Sequence, residues 1–91
     1  MTALEIRPTQ ANGILAQRNA DSLILLNPES GQYFTLDEVG TRVWELCDGR
    51  HRVAEVVSKL HAEYDAPLGA IQADVLELLD DLIREQLVAT V

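Results

Sequence analysis

GQYFTLDEVGTRVWELCDG, residues 31–49, decides the fold, because a strand pattern passes here directly into a helix pattern. Residues 32–36 (QYFTL) are rich in aromatic and β-branched side chains, which favour a strand. Asp37 is a good N-cap, and the apolar side chains that follow it return at helical spacing. Gly49 predicts a residue in the left-handed conformation where the helix stops.

Two further strands are predicted before this segment. Residues 14–18 form the weaker pattern, and residues 22–27 (SLILLN) form a compact apolar run of strand length. Residues 28–31 (PESG) are a turn signal, since proline presets φ and glycine accepts a positive φ. Residues 1–13 show no clear period, so we expect a flexible N-terminal arm and a single domain over residues 14–91.

Two more helices and a short tail are predicted after residue 49. Residues 53–64 carry apolar positions at helical spacing, and residues 68–86 form the longest helix. Strands followed by helices indicate an α+β fold, a three-stranded antiparallel sheet followed by three helices, with both sheet edges open. The long helix carries more apolar surface than one core contact requires. Its first stripe is Ile71, Val75, Leu78 and Leu82, and its second stripe is Leu76, Leu79 and Ile83.

Charge and composition exclude several classes of function. The net charge of −8 argues against nucleic-acid binding, which needs clustered Lys and Arg. The single cysteine cannot form an internal disulfide, which suits a reducing compartment. Neither a signal peptide nor an apolar run of roughly 18 residues is visible, so we expect a cytoplasmic protein with no membrane partner.

The sequence contains no catalytic constellation. Cys47 falls on an apolar helical stripe, which favours a buried structural thiol over a nucleophile. His51 and His61 lie ten residues apart without the ligand spacing of a metal site, and the adjacent carboxylates Asp80 and Asp81 point in different directions on a helix. The glycines form no phosphate-binding loop. We therefore expect no enzyme activity, no metal and no cofactor.

A binding function follows from the sheet edge. An open edge strand can accept an extended peptide through main-chain hydrogen bonds, and a neighbouring apolar wall can select its side chains. The second stripe of the long helix is a candidate wall. The alternative is that the domain's own core or a dimer contact buries both stripes.

A set of residues spread along the chain matches a known pattern: 23–27, 28–40, 43–46, 48–49, 53–57, 64–65, 74–75 and 82. On these residues the chain resembles the PqqD-like family, the small leader-peptide-binding modules of ribosomal peptide biosynthesis. The match runs from about residue 14 to residue 88. The block 31–49 is fairly specific, and the later helices are more generic.

The resemblance implies a winged-helix-like fold in which the leader of a precursor peptide pairs with the third strand and lies against the third helix. It implies a module that catalyses nothing itself and presents the precursor to a modifying enzyme, such as a radical SAM enzyme, a leader protease of lasso peptide synthesis or a cyclase. Asp74 and Asp80 are the expected partners of a basic leader residue. The implied peptide-binding residues are Gln32, Tyr33, Phe34, Thr35 and Leu36 on the strand and Asp74, Leu76, Leu79, Asp80 and Ile83 on the helix.

Three positions depart from the family pattern, and one of them, Asp37 in place of a frequent Asn, leaves the capping role intact. Arg52 stands where Thr is common as an N-cap, so the capping box with Glu55 loses one partner. Gln86 replaces a common Gly before Leu87, which predicts an extension of the last helix and a changed geometry of the tail. Two other functions remain open: a winged-helix DNA-binding protein, which the acidic helices oppose, and a structural dimer that buries the second stripe. Whether the protein is a monomer or a dimer stays open.

Overall fold

The computed structural model describes residues 2–91 and confirms the predicted α+β fold of a three-stranded antiparallel sheet followed by three helices. A further pair of short strands joins the two ends of the chain. The elements are β1 (Pro8–Gln10), β2 (Leu15–Asn19), β3 (Ser22–Asn27), β4 (Gln32–Leu36), α1 (Glu38–Leu46), α2 (Val53–Glu63), α3 (Leu68–Arg84) and β5 (Val88–Thr90).

The main sheet has the order β2–β3–β4, so β2 and β4 are its two edges. Asn19 pairs with Ser22 across a two-residue turn in which Ala20 has a φ of 56°. The pair that closes such a turn exchanges both backbone hydrogen bonds, and bonded and non-bonded pairs then alternate along the ladder. The same alternation continues across β3 to β4, where Tyr33 and Thr35 occupy non-bonded pairs with β3. The N–H and C=O groups of Tyr33 and Thr35 therefore point away from β3, toward the open edge.

The junction between β4 and α1 forms as its sequence predicts. Asp37 is the N-cap of α1, and its Oδ1 accepts a hydrogen bond from the Gly40 N–H at 2.8 Å. The Thr41 hydroxyl donates to the Asp37 carbonyl at 2.7 Å, which fixes the same turn from within the helix. Gly49 has the predicted positive φ, 78°, although α1 already ends at Leu46.

Part of the predicted N-terminal arm is paired with the rest of the domain. Residues 8–10 form β1, which pairs antiparallel with β5 in the apolar tail. The carbonyls of Leu4 and Ile6 accept hydrogen bonds from the Ala54 and Val53 N–H groups at 3.0 and 2.9 Å. These are the first N–H groups of α2, which have no partner inside the helix. The sequence pattern does not reveal this pairing, and the boundary at residue 14 stays a prediction.

Two of the three departures from the family pattern, Arg52 and Gln86, lie where the local structure can be compared with the prediction. Glu55 still accepts a hydrogen bond from the Arg52 backbone N–H at 2.8 Å, so half of the capping box survives. Gln86 does not extend α3, which ends at Arg84, two residues earlier than predicted. Gln86 instead has a positive φ of 61° and turns the chain toward β5.

One apolar core joins the inner face of the sheet to the three helices. Leu25, Leu60 and Leu82 are fully buried in it, and Trp44 and Cys47 lie within it as well. None of the helices formed by residues 2–91 has the length and hydropathy that crossing a membrane requires.

Candidate peptide-binding groove

A groove of about 650 Å³ lies beside the end of β4, between the first turn of α1 and the first half of α3. Its lining is mostly apolar, and its remaining polar groups are few. The lining residues are Ser22, Thr35, Leu36, Asp37, Val39, Gly40, Val43, Leu60, Tyr64, Ala66, Ile71, Asp74, Val75 and Leu78. The volume and the apolar lining of the groove suit a small ligand or several side chains of an extended peptide.

The strand-to-helix junction builds one side of the groove. Leu36 is buried at the end of β4, and Val39 is partly exposed in the first turn of α1. Gly40 lets that turn approach the strand closely, because a Cβ there would lie 3.2 Å from Leu36 Cδ2. The local sequence therefore sets the distance between the strand edge and the helix that borders the groove.

The opposite wall belongs to α3. Ile71, Asp74, Val75 and Leu78 follow the spacing i, i+3, i+4, i+7, which places them on one face of the helix. Ile71 and Val75 are buried, Leu78 is half-buried, and Asp74 is exposed. The wall is therefore apolar at its base and carries one carboxylate in contact with solvent.

Tyr64 closes one end of the groove after α2. Its ring is half-buried and borders both the groove and a smaller polar hollow that contains Glu38 and Arg42. Desolvation raises the pKa of the Tyr64 hydroxyl, and the neighbouring Glu38 carboxylate raises it further. Tyr64 thus stays neutral at physiological pH and can donate a hydrogen bond.

The strand residues predicted to bind a peptide divide into two groups. Thr35 and Leu36 line the groove itself. Gln32, Tyr33 and Phe34 lie further along β4, where Tyr33 is 71% exposed and Phe34 packs partly against the core. All five share the open edge of the sheet, so the structure brings the predicted strand and a groove together.

The second stripe of α3, predicted as a peptide-binding wall, does not line this groove, and its part in peptide binding stays a prediction. Leu79 is fully buried in the core, and Leu76 and Ile83 are half-buried against it. Asp80 lies on this same side of the helix and accepts a hydrogen bond from the Thr2 hydroxyl. Of the predicted helix residues, only Asp74 lines the groove.

The groove residues that the sequence analysis did not single out include three from the first stripe of α3. Ile71, Val75 and Leu78 serve both purposes, because their side chains reach the core and the groove. Val39 and Tyr64 were also missed. No periodic pattern marks these residues as groove lining, because their position depends on the path of α3 past the end of β4.

Among residues 2–91, the groove lining contains no Cys, His, Lys or Arg. Burial raises the pKa of the Cys47 thiol to about 12, and the thiol lies in the core. His51 lies outside the lining, beside Asp48, whose pKa is lowered to about 2 by the Arg50 backbone N–H and by His51. Residues 2–91 hold no cluster of three or more His, Cys, Asp and Glu that could bind a metal.

Known proteins resemble this chain in sequence and in fold. Residues 22–88 match the family described as coenzyme PQQ synthesis protein D (PqqD). A PqqA binding protein of Xanthomonas axonopodis pv. citri is 36% identical over 83 residues, which cover 89% of this chain and 88% of that protein. One of Methylococcus capsulatus is 37% identical over 61 residues, covering 67% and 61%.

A solved structure with a similar fold is a complex with a leader peptide. It is TbiB1 in complex with the TbiA(beta) leader peptide, with a TM-score of 0.79 and 29% identity. The alignment covers 88% of this chain and 93% of that chain. The similarity therefore extends over almost all of both domains.

Proposed function

The chain belongs to the PqqD family, to which residues 22–88 match, and on this premise we propose that it binds the leader segment of a ribosomally made precursor peptide. The leader adds as a strand to the open edge of β4 and places side chains in the neighbouring groove. The module has no catalytic role and delivers the bound precursor to a separate modifying enzyme.

One observation carries this proposal: an unpaired strand edge and an apolar groove lie side by side. Tyr33 and Thr35 direct backbone donors and acceptors outward, and Thr35 also lines the groove. Main-chain bonds to the edge supply affinity for any extended chain, whereas the groove distinguishes one side-chain sequence from another. The relatives named PqqA binding proteins and the leader complex of TbiB1 support a peptide as the ligand.

The nature of the modifying enzyme belongs to the proposal as well. A radical SAM enzyme, a leader protease or a cyclase would each benefit from a leader held outside its active site while the segment to be modified or cleaved enters it. An open strand edge beside an apolar groove suits this holding task.

Replacing Thr35 with proline tests strand addition. Proline removes the outward N–H of Thr35 without removing a bond to β3, so the domain should fold. We expect at least tenfold weaker binding of PqqA and of the TbiA(beta) leader peptide, because the loss of one main-chain bond is joined by steric conflict with the added strand. Amide chemical shifts are the suitable readout, since Trp44 is buried outside the groove lining.

Ala16→Pro is the matched control. Ala16 lies on the opposite edge, and by the same alternation its N–H also points away from β3. This variant should bind both peptides like the unmodified protein. Normal binding by a folded Thr35→Pro variant would exclude strand addition at β4, and failure of the unmodified protein to bind either peptide would remove the proposed function.

A further inference from the structure

The charges of the groove are of one sign. Its lining includes two carboxylates, Asp37 and Asp74, and it includes no Lys, Arg or His among residues 2–91. The chain as a whole has a net charge of −8, so no distant excess of cations offsets them. A ligand that fills the groove therefore meets an apolar base and an acidic rim.

The two carboxylates differ in whether they already have partners within the protein. Asp37 already accepts the Gly40 N–H, and it offsets the positive end of the α1 dipole together with Glu38. Asp74 lies beyond the first turn of α3, is exposed, and forms no ion pair with any side chain of residues 2–91. Asp74 is thus the carboxylate available to a ligand.

We propose that Asp74 is a specificity-determining residue that selects leaders carrying a Lys or Arg next to the apolar side chains that enter the groove. This inference rests on the proposed function and adds a charge requirement to it. The cation pairs with Asp74 at the rim, while Ile71, Val75 and Leu78 hold the neighbouring apolar side chain. Asp80 has no part in this, because its carboxylate is engaged by Thr2 on another side of α3.

The size of the effect follows from where the pair forms. A fully exposed ion pair contributes little, but a bound peptide covers part of the rim and removes water from one side of the pair. We expect Lys at the selected position to strengthen binding about three- to tenfold relative to Met, and Glu there to weaken binding by a similar factor.

A positional scan of PqqA identifies the residue that Asp74 reads. Lys, Glu or Met is placed at each position in turn, and the dissociation constant is measured by titration at low and at moderate salt. At one position, Lys should bind best and Glu worst, with a difference that shrinks as salt is added. Asp74→Asn should abolish the difference between Lys and Met at that position while leaving the Met peptide's affinity nearly unchanged. Asp74→Lys should reverse the preference toward Glu.

Glu77→Gln is the matched control, because Glu77 lies on the same helix, is exposed, and does not line the groove. It removes the same charge and should keep the preference for Lys. The proposal would be overturned if the preference for Lys over Met survived Asp74→Asn, or if Glu77→Gln reduced it as much as Asp74→Asn does. Either result would mean that the overall charge of the protein, and not Asp74, selects the peptide. Equal binding of all peptides would overturn it while the proposed function stands, whereas no binding by any peptide would remove both.

Discussion

Cys47 shows how a single residue can be assigned from local pattern. Its place on an apolar stripe predicted a buried thiol, and the structure confirms it: the side chain is 1% exposed. Burial raises the pKa of the thiol from 9.0 to about 12, and the neighbouring Asp48 adds to the shift. A thiol that ionises so late is a poor nucleophile in the folded protein.

The same shift predicts a loss of stability at alkaline pH. Between pH 9 and pH 12 the thiol of the unfolded chain gives up its proton while the folded thiol keeps it. The free energy of unfolding should therefore fall as pH rises through this range, by up to about 1.4 kcal/mol per pH unit from this group. Below pH 9 both states hold the proton, and Cys47 should contribute no pH dependence.

Urea unfolding at a series of pH values measures this loss. Cys47→Ala lacks the titrating group, so its unfolding free energy should fall less steeply above pH 9 than that of the unmodified protein. Both proteins keep the same tyrosines, and the difference between the two slopes isolates the thiol. Parallel slopes would contradict the assignment.

Residues whose role is set by their immediate neighbours were predictable from sequence. Asp37 caps α1 and Gly49 has a positive φ because each property depends on the backbone within a few positions. The role of Leu79 was not predictable in this way. It differs from Leu78 only in the direction its side chain takes from α3, and that direction is set by how the whole helix packs.

At the scale of elements, the N-terminal segment is the part that sequence reasoning missed. It has no periodic pattern, because its contacts are made largely by backbone groups, to α2 and to β5. The side chains of Leu4 and Ile6 are ordinary apolar groups that give no recognisable motif. Their backbone carbonyls nevertheless accept hydrogen bonds from the Ala54 and Val53 N–H groups in the first turn of α2. Pairing between residues some 80 positions apart leaves no local signal in either partner.

Removing residues 2–6 should therefore destabilise the fold without affecting the groove. The deletion leaves the Val53 and Ala54 N–H groups without their acceptors and uncovers the apolar surface beneath Leu4 and Ile6. We expect the free energy of unfolding to fall by about 2–4 kcal/mol, from lost hydrogen bonds and lost burial. Affinity for a leader peptide should stay the same, since none of these residues lines the groove.

Chemical denaturation of the shortened protein tests the first half of this expectation, and peptide titration tests the second. Ile6→Ala is a milder companion that keeps the backbone acceptors and should cost about 1 kcal/mol. An unchanged denaturation midpoint for the deletion would show that the segment is not part of the folding unit. A weakened peptide affinity would show that its contacts extend to the groove.

At the scale of the molecule, the sequence predicted the order of the three strands of the main sheet and the three helices, and both open edges of that sheet, because each of these elements has its own period. The family resemblance implied binding at the third strand, but the periodic pattern alone could not predict which edge lies beside a groove. That depends on the path of α3, which passes the end of β4, whereas the lining includes no residue of β2. The two edges therefore present similar backbone groups in different surroundings.

This asymmetry gives a prediction for hydrogen exchange. In the free protein, the N–H groups of Tyr33 and Thr35 on β4 and of Ala16 and Arg18 on β2 all point away from β3 and should exchange quickly. Saturation with a leader peptide should slow exchange at Tyr33 and Thr35 by more than about tenfold, because an added strand accepts their hydrogen bonds. Ala16 and Arg18 should be unaffected.

Amide exchange followed by NMR with and without PqqA measures all four sites in one experiment. Protection at Ala16 and Arg18 instead would place the peptide on the wrong edge. Binding that protects neither pair would mean that the groove holds side chains without an added strand. Protection of Tyr33 and Thr35 that appears without peptide and grows with protein concentration would mean that a second copy occupies the edge, and a leader would then have to displace it.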